Sequence, residues 1–187
     1  MDMNADLNAT AVLRYDPRTM LLHWLTAALV ASLWGVAQVI DLFPSAGMMR
    51  VTVRSLHVVL GLILAGVISA RLFWRAGAGR VLPPAGTGAL QFLSRVVHFA
   101  LYTLVIAAIV LGIANTWVRG DSFFGLFRIP AFDPGNKALR QTVGGLHETA
   151  TNAILIVAGF HAAAALAHHF LWRDGVLRRM LPARGQG

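Results

Sequence analysis

Four long apolar stretches constrain this chain more than any other feature of its sequence. They cover residues 20–40, 51–74, 92–114 and 146–172. Each is long enough to cross the roughly 30 Å of hydrocarbon in a bilayer, which takes about 20 residues of helix. A segment in lipid must satisfy its own backbone hydrogen bonds, and a continuous apolar stretch does so as a helix. The sequence therefore predicts an all-α integral membrane protein, a four-helix bundle.

Composition excludes the common soluble classes. Hydrophobic residues make up 57% of the 187 residues and charged residues 13%, whereas water-soluble domains have about 45–50% and about 25%. The chain has no cysteine, which excludes disulfides, thiolate-bound iron–sulfur clusters and covalently attached c-type haem. The net charge is +8, but the basic residues lie at the ends of the apolar stretches and form no continuous patch. We therefore expect no nucleic-acid partner.

The segments between the stretches predict a single transmembrane domain, residues 1–187, without an internal repeat. Residues 77–88 are rich in glycine and proline and predict a short, turn-prone linker. The longest connection, 115–143, carries four phenylalanines among glycine, proline and charged residues. We expect it to lie on the membrane surface as a cap with a short surface helix. The phenylalanines are Phe123, Phe124, Phe127 and Phe132.

The N-terminus does not have the features of a secretory signal. Asp2 and Asp6 stand where such a signal has a basic region, and the first apolar stretch is longer than a signal's hydrophobic core. We therefore expect the first stretch to remain as a membrane span.

The basic residues predict the orientation of the bundle. With four spans both termini lie on one side, and ten of the sixteen Lys and Arg residues lie on that side. These ten are Arg14, Arg18, Arg71, Arg75, Arg80, Arg95, Arg173, Arg178, Arg179 and Arg184. The other six are Arg50, Arg54, Arg119, Arg128, Lys137 and Arg140. The positive-inside rule then predicts that both termini are cytoplasmic.

Five histidines fall inside the apolar stretches: His23, His57, His98, His147 and His161. Ionisable side chains at membrane depth are expensive, so each is a candidate functional residue. His147 and His161 are 14 residues apart, roughly 21 Å along a helix and nearly four turns, so both project from one face near opposite bilayer surfaces. On the outer side only His57 and His147 lie at matching depth on different helices. Such pairs on neighbouring helices suit two b-type haems.

The inner side offers a wider choice, and spacing alone does not select two ligands. His161 has small neighbours, Gly159 and several alanines, which leave room for a flat macrocycle, although small residues also serve plain helix contacts. His168 and His169 are consecutive, so they face different directions on a helix and at most one points into the bundle. The inner candidates are His23, His98, His161, His168 and His169.

Two other interpretations of the histidines stay open at this point. Intramembrane histidines also hold helices together through hydrogen bonds worth roughly 0.6 kcal/mol each. A zinc or copper site is the other metal possibility, although tetrahedral zinc needs three or four close ligands and these histidines are spread along the chain.

Three charged residues near the histidines are candidates for supporting roles. Glu148, the only glutamate, follows His147; it either supports that site by accepting a hydrogen bond or is the solvated start of a helix. Arg54 and Arg71 bracket the second stretch, and arginine suits carboxylates such as haem propionates. Snorkelling to the interface explains the two arginines nearly as well.

Four strings in the sequence carry a family resemblance. They are HW at His23-Trp24, LH ahead of VVLG at His57, LHET around His147, and HAAAALAHHFLWRDGVLRRMLP from His161 to Pro182. With these strings the chain resembles the bacterial cytochrome b561 family in its short, four-helix form, whose characterised member is a superoxide:ubiquinone oxidoreductase. The resemblance covers nearly the whole chain, and it implies a multi-pass protein of the bacterial inner membrane.

The resemblance also implies the cofactors and their ligands. It implies two haems b, the inner one held by His23 and His161 and the outer one by His57 and His147, so that His98, His168 and His169 are not ligands. In this family a quinone is reduced close to the inner haem. His168 is then a candidate hydrogen-bond donor to ubiquinone, and Arg71 is a second candidate for the quinone or a propionate.

The activity that follows from the resemblance is that of a superoxide oxidase. Superoxide on the periplasmic side would give electrons through two haems b to ubiquinone near the cytoplasmic side, without an obligatory protein partner. The outer segments support this, because six Lys and Arg face Asp41, Asp121, Asp133 and Glu148, a surplus of two positive charges that attracts a small anion. An alternative is a cytochrome b subunit that relays electrons between a dehydrogenase or hydrogenase and the quinone pool. A non-redox structural or transport protein is a third hypothesis.

Overall fold

The computed structural model describes residues 13–182 and contains four long helices. We label them α1 (Pro17–Ile40), α2 (Met48–Gly77), α3 (Gly88–Arg119) and α4 (Lys137–Ala167). All four are long and apolar enough to span a membrane. The prediction of an all-α membrane bundle is therefore confirmed. The helices extend past most of the predicted stretches, because they continue into polar residues at the bilayer surface.

Two helix pairs form the bundle, and the helices pack more closely within each pair than between the pairs. α1 packs along α2, and α3 packs along α4, whereas within residues 13–182 neither α1 nor α2 packs closely along α4. One apolar layer at mid-depth joins the two pairs. Its buried members are Leu29, Leu64, Ile68, Val105, Ala108 and Ile154. The bundle is therefore closed in the middle, while α4 stands apart from α1 and α2 above and below this layer.

The connection between α3 and α4 forms a β-hairpin, so the predicted short surface helix is wrong. Strand β1 (Ser122–Phe123) pairs antiparallel with β2 (Phe127–Arg128). The turn between them has Phe124 at φ 51° and Gly125 at φ 75°, a left-handed conformation that cannot continue a right-handed helix. We call the end of the bundle that carries this hairpin the hairpin side.

Ser55 of α2 holds the hairpin on the bundle. Its hydroxyl accepts a hydrogen bond from the Phe124 backbone N–H (2.8 Å), and its single proton is shared between the carbonyls of Val51 (2.8 Å) and Ser122 (3.1 Å). Ser55 is only 2% exposed, so these bonds satisfy polar groups that would otherwise be buried without partners. The hairpin is therefore fixed to α2, while the predicted place of this segment at the membrane surface stays a prediction.

The opposite end, which we call the terminal side, is tied together by the two ends of the described chain. Tyr15 donates its backbone N–H to the Arg179 carbonyl (3.0 Å), and the Trp24 indole donates to the Met180 carbonyl (2.8 Å). The Arg179 guanidinium also donates to the carbonyl of Pro83 in the connection between α2 and α3 (2.7 Å). The residues before Leu13 and the predicted terminal-side residue Arg184 lie outside the described residues.

The last turn of α4 departs from regular helix. The chain continues from Ala167 into a π-helical turn, His168–Trp172. It then reverses at Arg173 (φ 53°) and Gly175 (φ 78°) before a 3₁₀ turn, Leu177–Met180. π-Helical turns are rare in proteins, and those that occur are often found at functional sites. This turn therefore marks the terminal side as a place to look for function.

Asp16 caps α1 and joins it to α2, and its removal should destabilise the bundle. The carboxylate accepts hydrogen bonds from the Thr19 N–H (2.9 Å), the Trp74 indole (3.0 Å) and the Arg80 N–H (3.2 Å). Asp16→Ala removes a helix N-cap worth about 1–2 kcal/mol, so we expect the Tm in detergent to fall by roughly 2–8 °C.

We expect the Tm difference between wild type and Asp16→Ala to depend on pH. Burial raises the pKa of Asp16, but the hydrogen bonds from Thr19, Arg80 and Trp74 outweigh it and hold the pKa well below the ordinary value. A carboxylate with a lowered pKa stabilises the folded state above its unfolded pKa, and this stabilisation is lost as the pH falls toward the folded one. The Tm difference between wild type and Asp16→Ala should therefore be full at pH 7 and shrink in acid. An equal difference at pH 7 and pH 3 would contradict this account.

Candidate functional site

The hairpin-side histidines, His57 of α2 and His147 of α4, face each other across the gap between their helices. Their ring centroids are 6.3 Å apart and the rings are inclined by 83°. Two imidazoles bound axially to one metal, each by a bond of about 2 Å, hold their centroids roughly 6 Å apart. The pair therefore has the spacing of two ligands on one ion.

The His147 ring is oriented by α3. Its Nδ1 donates to the backbone carbonyl of Ala108 (3.0 Å), since a carbonyl can only accept. This leaves Nε2 without a proton, as a ligating nitrogen requires. Gly112 makes room for the ring, because a Cβ at that position would lie 3.1 Å from His147 Cε1. Neither of these two contacts with α3 was predicted from the sequence.

The His57 ring has a buried polar atom without a partner. The backbone of Leu33 lies near this ring, but Nδ1 is buried and no group among residues 13–182 bonds to it in good geometry. An unsatisfied polar atom at membrane depth is costly and therefore rare. Within the described residues, Nδ1 of this ring therefore does not join two helices through a hydrogen bond.

The terminal-side pair is built in the same way. His23 of α1 and His161 of α4 have ring centroids 6.3 Å apart and an inclination of 74°. His98 of α3 also lies beside His161, but at 5.1 Å, which is too close for two axial ligands of one metal. The His98 ring is exposed and its Nδ1 donates to the Ser94 carbonyl (2.6 Å). The geometry therefore supports His23 over His98 as the partner of His161.

Arg71 lies against the terminal-side pair and offers a free positive charge. Its guanidinium is 3.0 Å from Nδ1 of His23 and lies over the Tyr102 ring at 5.2 Å. Within residues 13–182 no carboxylate is in ion-pair distance of Arg71. A half-buried arginine without an acidic partner fits a site for a carboxylate of a ligand. The Arg71 guanidinium can only donate, so in this contact Nδ1 of His23 is the acceptor and the ring proton is on Nε2. A metal at Nε2 would need that proton on Nδ1, and Arg71 would then turn to a carboxylate of the ligand.

Arg54, the other arginine candidate, is compensated by an acidic neighbour on the hairpin side. Asp121 lies 3.5 Å from Arg54 and 3.5 Å from Arg119. Two positive charges share one negative charge, so the cluster keeps a net positive charge beside the His57 and His147 pair. The ion pair of Arg50 with Asp41 lies on the same side.

The remaining candidates are outside the two pairs. Nδ1 of His168 is hydrogen-bonded to the Asp174 carboxylate, and the His168 ring meets Trp172 edge to face at 4.6 Å. His169 contacts the ring of Phe170 instead. Glu148 is exposed on α4, which fits a solvated charge better than a partner of the buried His147 ring.

These features suit a flat macrocycle bound by histidines in each half of the bundle. The His57–His147 pair bridges α2 and α4, and the His23–His161 pair bridges α1 and α4. In both cases the two bridged helices do not pack closely against each other. Among residues 13–182 no cluster of three or more His, Asp or Glu side chains is placed to hold a metal. The arrangement therefore favours paired axial ligands over the three or four close ligands of tetrahedral zinc.

The comparisons with known proteins agree with this description. The model of the family prokaryotic cytochrome b561 matches residues 14–183. Cytochrome b561 homolog 1 of Escherichia coli (strain K12) is 28% identical over 91% of this chain and 98% of its own length. A Yersinia pestis protein named probable superoxide oxidase CybB is 28% identical over 91% of this chain and 97% of its own length.

A third relative is cytochrome b561 homolog 2 of Escherichia coli (strain K12), which is 27% identical over 90% of this chain and 91% of its own length. The family match covers nearly all of the described residues, including both histidine pairs. The chain belongs to the prokaryotic cytochrome b561 family and is a haem b-binding membrane electron-transfer protein.

Proposed function

We propose that the chain is a superoxide oxidase with two haems b, one held by His57 and His147 and the other by His23 and His161. The observation that carries this proposal is the equal 6.3 Å centroid separation of both pairs, each across a gap between helices. When bound, the haems supply one-electron redox chemistry, which joins a one-electron donor to a two-electron acceptor.

The protein's own contribution is to orient the histidine ligands, to supply charge to the haems and the quinone, and to insulate the two histidine pairs from water. The Ala108 carbonyl fixes the His147 ring, and Gly112 gives it space. Arg71 supplies a positive charge for a propionate on the terminal side, or for the quinone. The mid-depth apolar layer excludes water between the two histidine pairs, so that protons do not cross the bundle with the electrons.

Superoxide is the donor that the hairpin side fits best. That side has six Lys and Arg residues against four acidic ones, and a net positive surface raises the encounter rate of a small anion. The name of the Yersinia pestis relative, probable superoxide oxidase CybB, supports the same donor. In the balanced reaction two superoxide anions lose one electron each and become dioxygen, while one ubiquinone takes up two electrons and two protons.

Ubiquinone is the proposed acceptor on the terminal side, which we assign to the cytoplasm. His168 at the π-helical turn is the proposed hydrogen-bond donor to the quinone, and Arg71 is the second candidate. The excess of Lys and Arg on this side supports the orientation in a bacterial inner membrane. Both termini would then be cytoplasmic.

Charge reversal on the hairpin side should slow the reaction with superoxide. Arg128 of β2 and Arg95 of α3 are both exposed, lie at opposite ends of the bundle, and have no carboxylate at ion-pair distance within residues 13–182. We expect Arg128→Glu to lower the second-order rate constant about 2–5-fold at low salt, and the matched variant Arg95→Glu to leave it unchanged.

The experiment is quinone-dependent superoxide consumption by the purified protein, followed as a function of ionic strength. The wild-type rate should fall as salt rises, and the difference between the two variants should disappear at high salt because the Debye length shortens. Equal slowing by both variants would contradict the proposed entry side. Superoxide consumption that does not depend on quinone would contradict the proposed reaction.

A further inference from the structure

His168 and Asp174 form a dyad on the terminal side. Oδ2 of Asp174 contacts Nδ1 of His168, and Oδ1 accepts a hydrogen bond from the Val176 backbone N–H (3.1 Å). Both carboxylate oxygens are therefore engaged. Burial raises the pKa of Asp174, but the hydrogen bonds from His168 and Val176 outweigh it, and the net pKa lies below the ordinary value. Asp174 is thus ionised at neutral pH.

The contact exists because the helix is broken at this point. On a regular helix two residues six positions apart lie on different faces. Here the π-helical turn and the left-handed Arg173 (φ 53°) reverse the chain, and the Asp174 N–H donates back to the His168 carbonyl (3.3 Å). A left-handed conformation is unfavourable for a residue other than glycine. Strain of this kind is typical of positions where a side chain must be aimed.

The His168 ring is held on two sides and open on a third. Asp174 engages Nδ1, and the Trp172 ring packs against the imidazole at 4.6 Å. The side chain is 25% exposed, so a ligand can reach it. With Nδ1 engaged by a carboxylate, Nε2 is the only ring nitrogen left for a ligand.

We propose that Asp174 is a positioning residue that makes His168 a proton donor to ubiquinone. The carboxylate holds Nδ1–H and stabilises the imidazolium, so that Nε2–H points to the ligand as an acid. This inference rests on the proposed function, because it assumes that ubiquinone is reduced beside His168.

The chemistry balances with the proposed reaction. As ubiquinone receives an electron, the Nε2–H bond of His168 breaks and an O–H bond forms at a quinone carbonyl oxygen. The neutral ring then takes a proton from water on the terminal side. Two electrons from two superoxide anions and two protons complete the quinol, and Asp174 stays ionised throughout.

Asp174→Asn tests the role of the charge. The asparagine keeps the size of the side chain and can accept from the Val176 N–H, while its amide then faces Nδ1 as a donor. The ring keeps Nε2–H as a hydrogen-bond donor but loses the carboxylate that supports its role as a proton donor. We expect kcat for quinone reduction to fall about 10–100-fold, with KM for quinone changed less than about 3-fold, and with haem content and superoxide-driven haem reduction unchanged.

Three further variants keep the test decisive. Asp174→Glu restores a carboxylate and should recover a large part of kcat, whereas Arg178→Gln, an exposed change in the same segment, should have wild-type kinetics. If Asp174→Asn has wild-type kcat, or if Asp174→Glu with full haem content is as slow as Asp174→Asn, the inference is overturned. His168→Ala separates the proposed quinone site from the proposed role of Asp174. Wild-type quinone kinetics in His168→Ala would reject the quinone site itself. Slow quinone reduction in His168→Ala together with wild-type kinetics in Asp174→Asn would reject only the role of Asp174.

Discussion

His147→Ala should purify with one haem b per chain instead of two, and its reaction with superoxide should be lost. The His147 ring lies 6.3 Å from His57 and is oriented by the Ala108 carbonyl, so its loss would remove one of the two proposed ligands of the hairpin-side haem. The terminal-side pair is about four turns away on the same helix and should keep its haem. The measurement is the haem-to-protein ratio from the pyridine haemochrome spectrum, together with haem reduction after a superoxide pulse.

His169→Ala is the matched control for this prediction. His169 lies on the same chain segment but contacts Phe170 and takes no part in either histidine pair. It should retain two haems and the wild-type reaction. A His147→Ala protein that keeps two haems per chain would refute the hairpin-side pairing.

His161→Ala should uncouple the two ends of the protein. It removes one of the two proposed terminal-side ligands, the ring that lies 6.3 Å from His23, so we expect one haem per chain that superoxide still reduces. Quinone reduction should fall at least 100-fold, because the acceptor side has lost the group that exchanges electrons with it. The measurement is the ratio of haem reduction to quinol formation after the same superoxide pulse.

His98→Ala is the sharpest control, since His98 is the ring closest to His161 in space (5.1 Å). We expect this variant to keep both haems, whereas His23→Ala should lose the terminal-side one. The opposite result, with haem lost from His98→Ala and kept in His23→Ala, would make His98 the ligand and disprove the pairing proposed here.

The four spans could be predicted from the sequence because lipid imposes a length on apolar stretches. The hairpin between α3 and α4 could not, because its turn at Phe124 and Gly125 depends on a hydrogen bond to Ser55, 69 residues away in sequence. Aromatic residues near a membrane surface fit a strand or a helix equally well, so their pattern alone does not choose between them.

The two histidine layers show the same limit at the level of the site. Depth along a span is readable from sequence, and it pairs His57 with His147. The face that a helix turns toward its neighbours is not readable from sequence, so spacing left the terminal-side ligands open. The proposal of His23 over His98 rests on the ring distances around His161. The haem ligation itself stays a prediction that the variants above test.

Asp174 was missed for a related reason. Its six-residue separation from His168 places the two side chains on different faces of a regular helix, and only the π-helical turn and the left-handed Arg173 bring them together. The Gly-containing string after His168 signals a helix end, but not the direction in which the chain returns.

The central claim is that superoxide passes electrons to this protein and that ubiquinone takes them away. The most direct measurement is rapid mixing of the oxidised, purified protein with a superoxide pulse while the haem absorbance bands are followed, with and without ubiquinone. We predict fast haem reduction in both cases and fast reoxidation only when ubiquinone is present. Haem that dithionite reduces but superoxide does not would contradict the account, and would indicate a relay subunit whose electrons come from a partner protein.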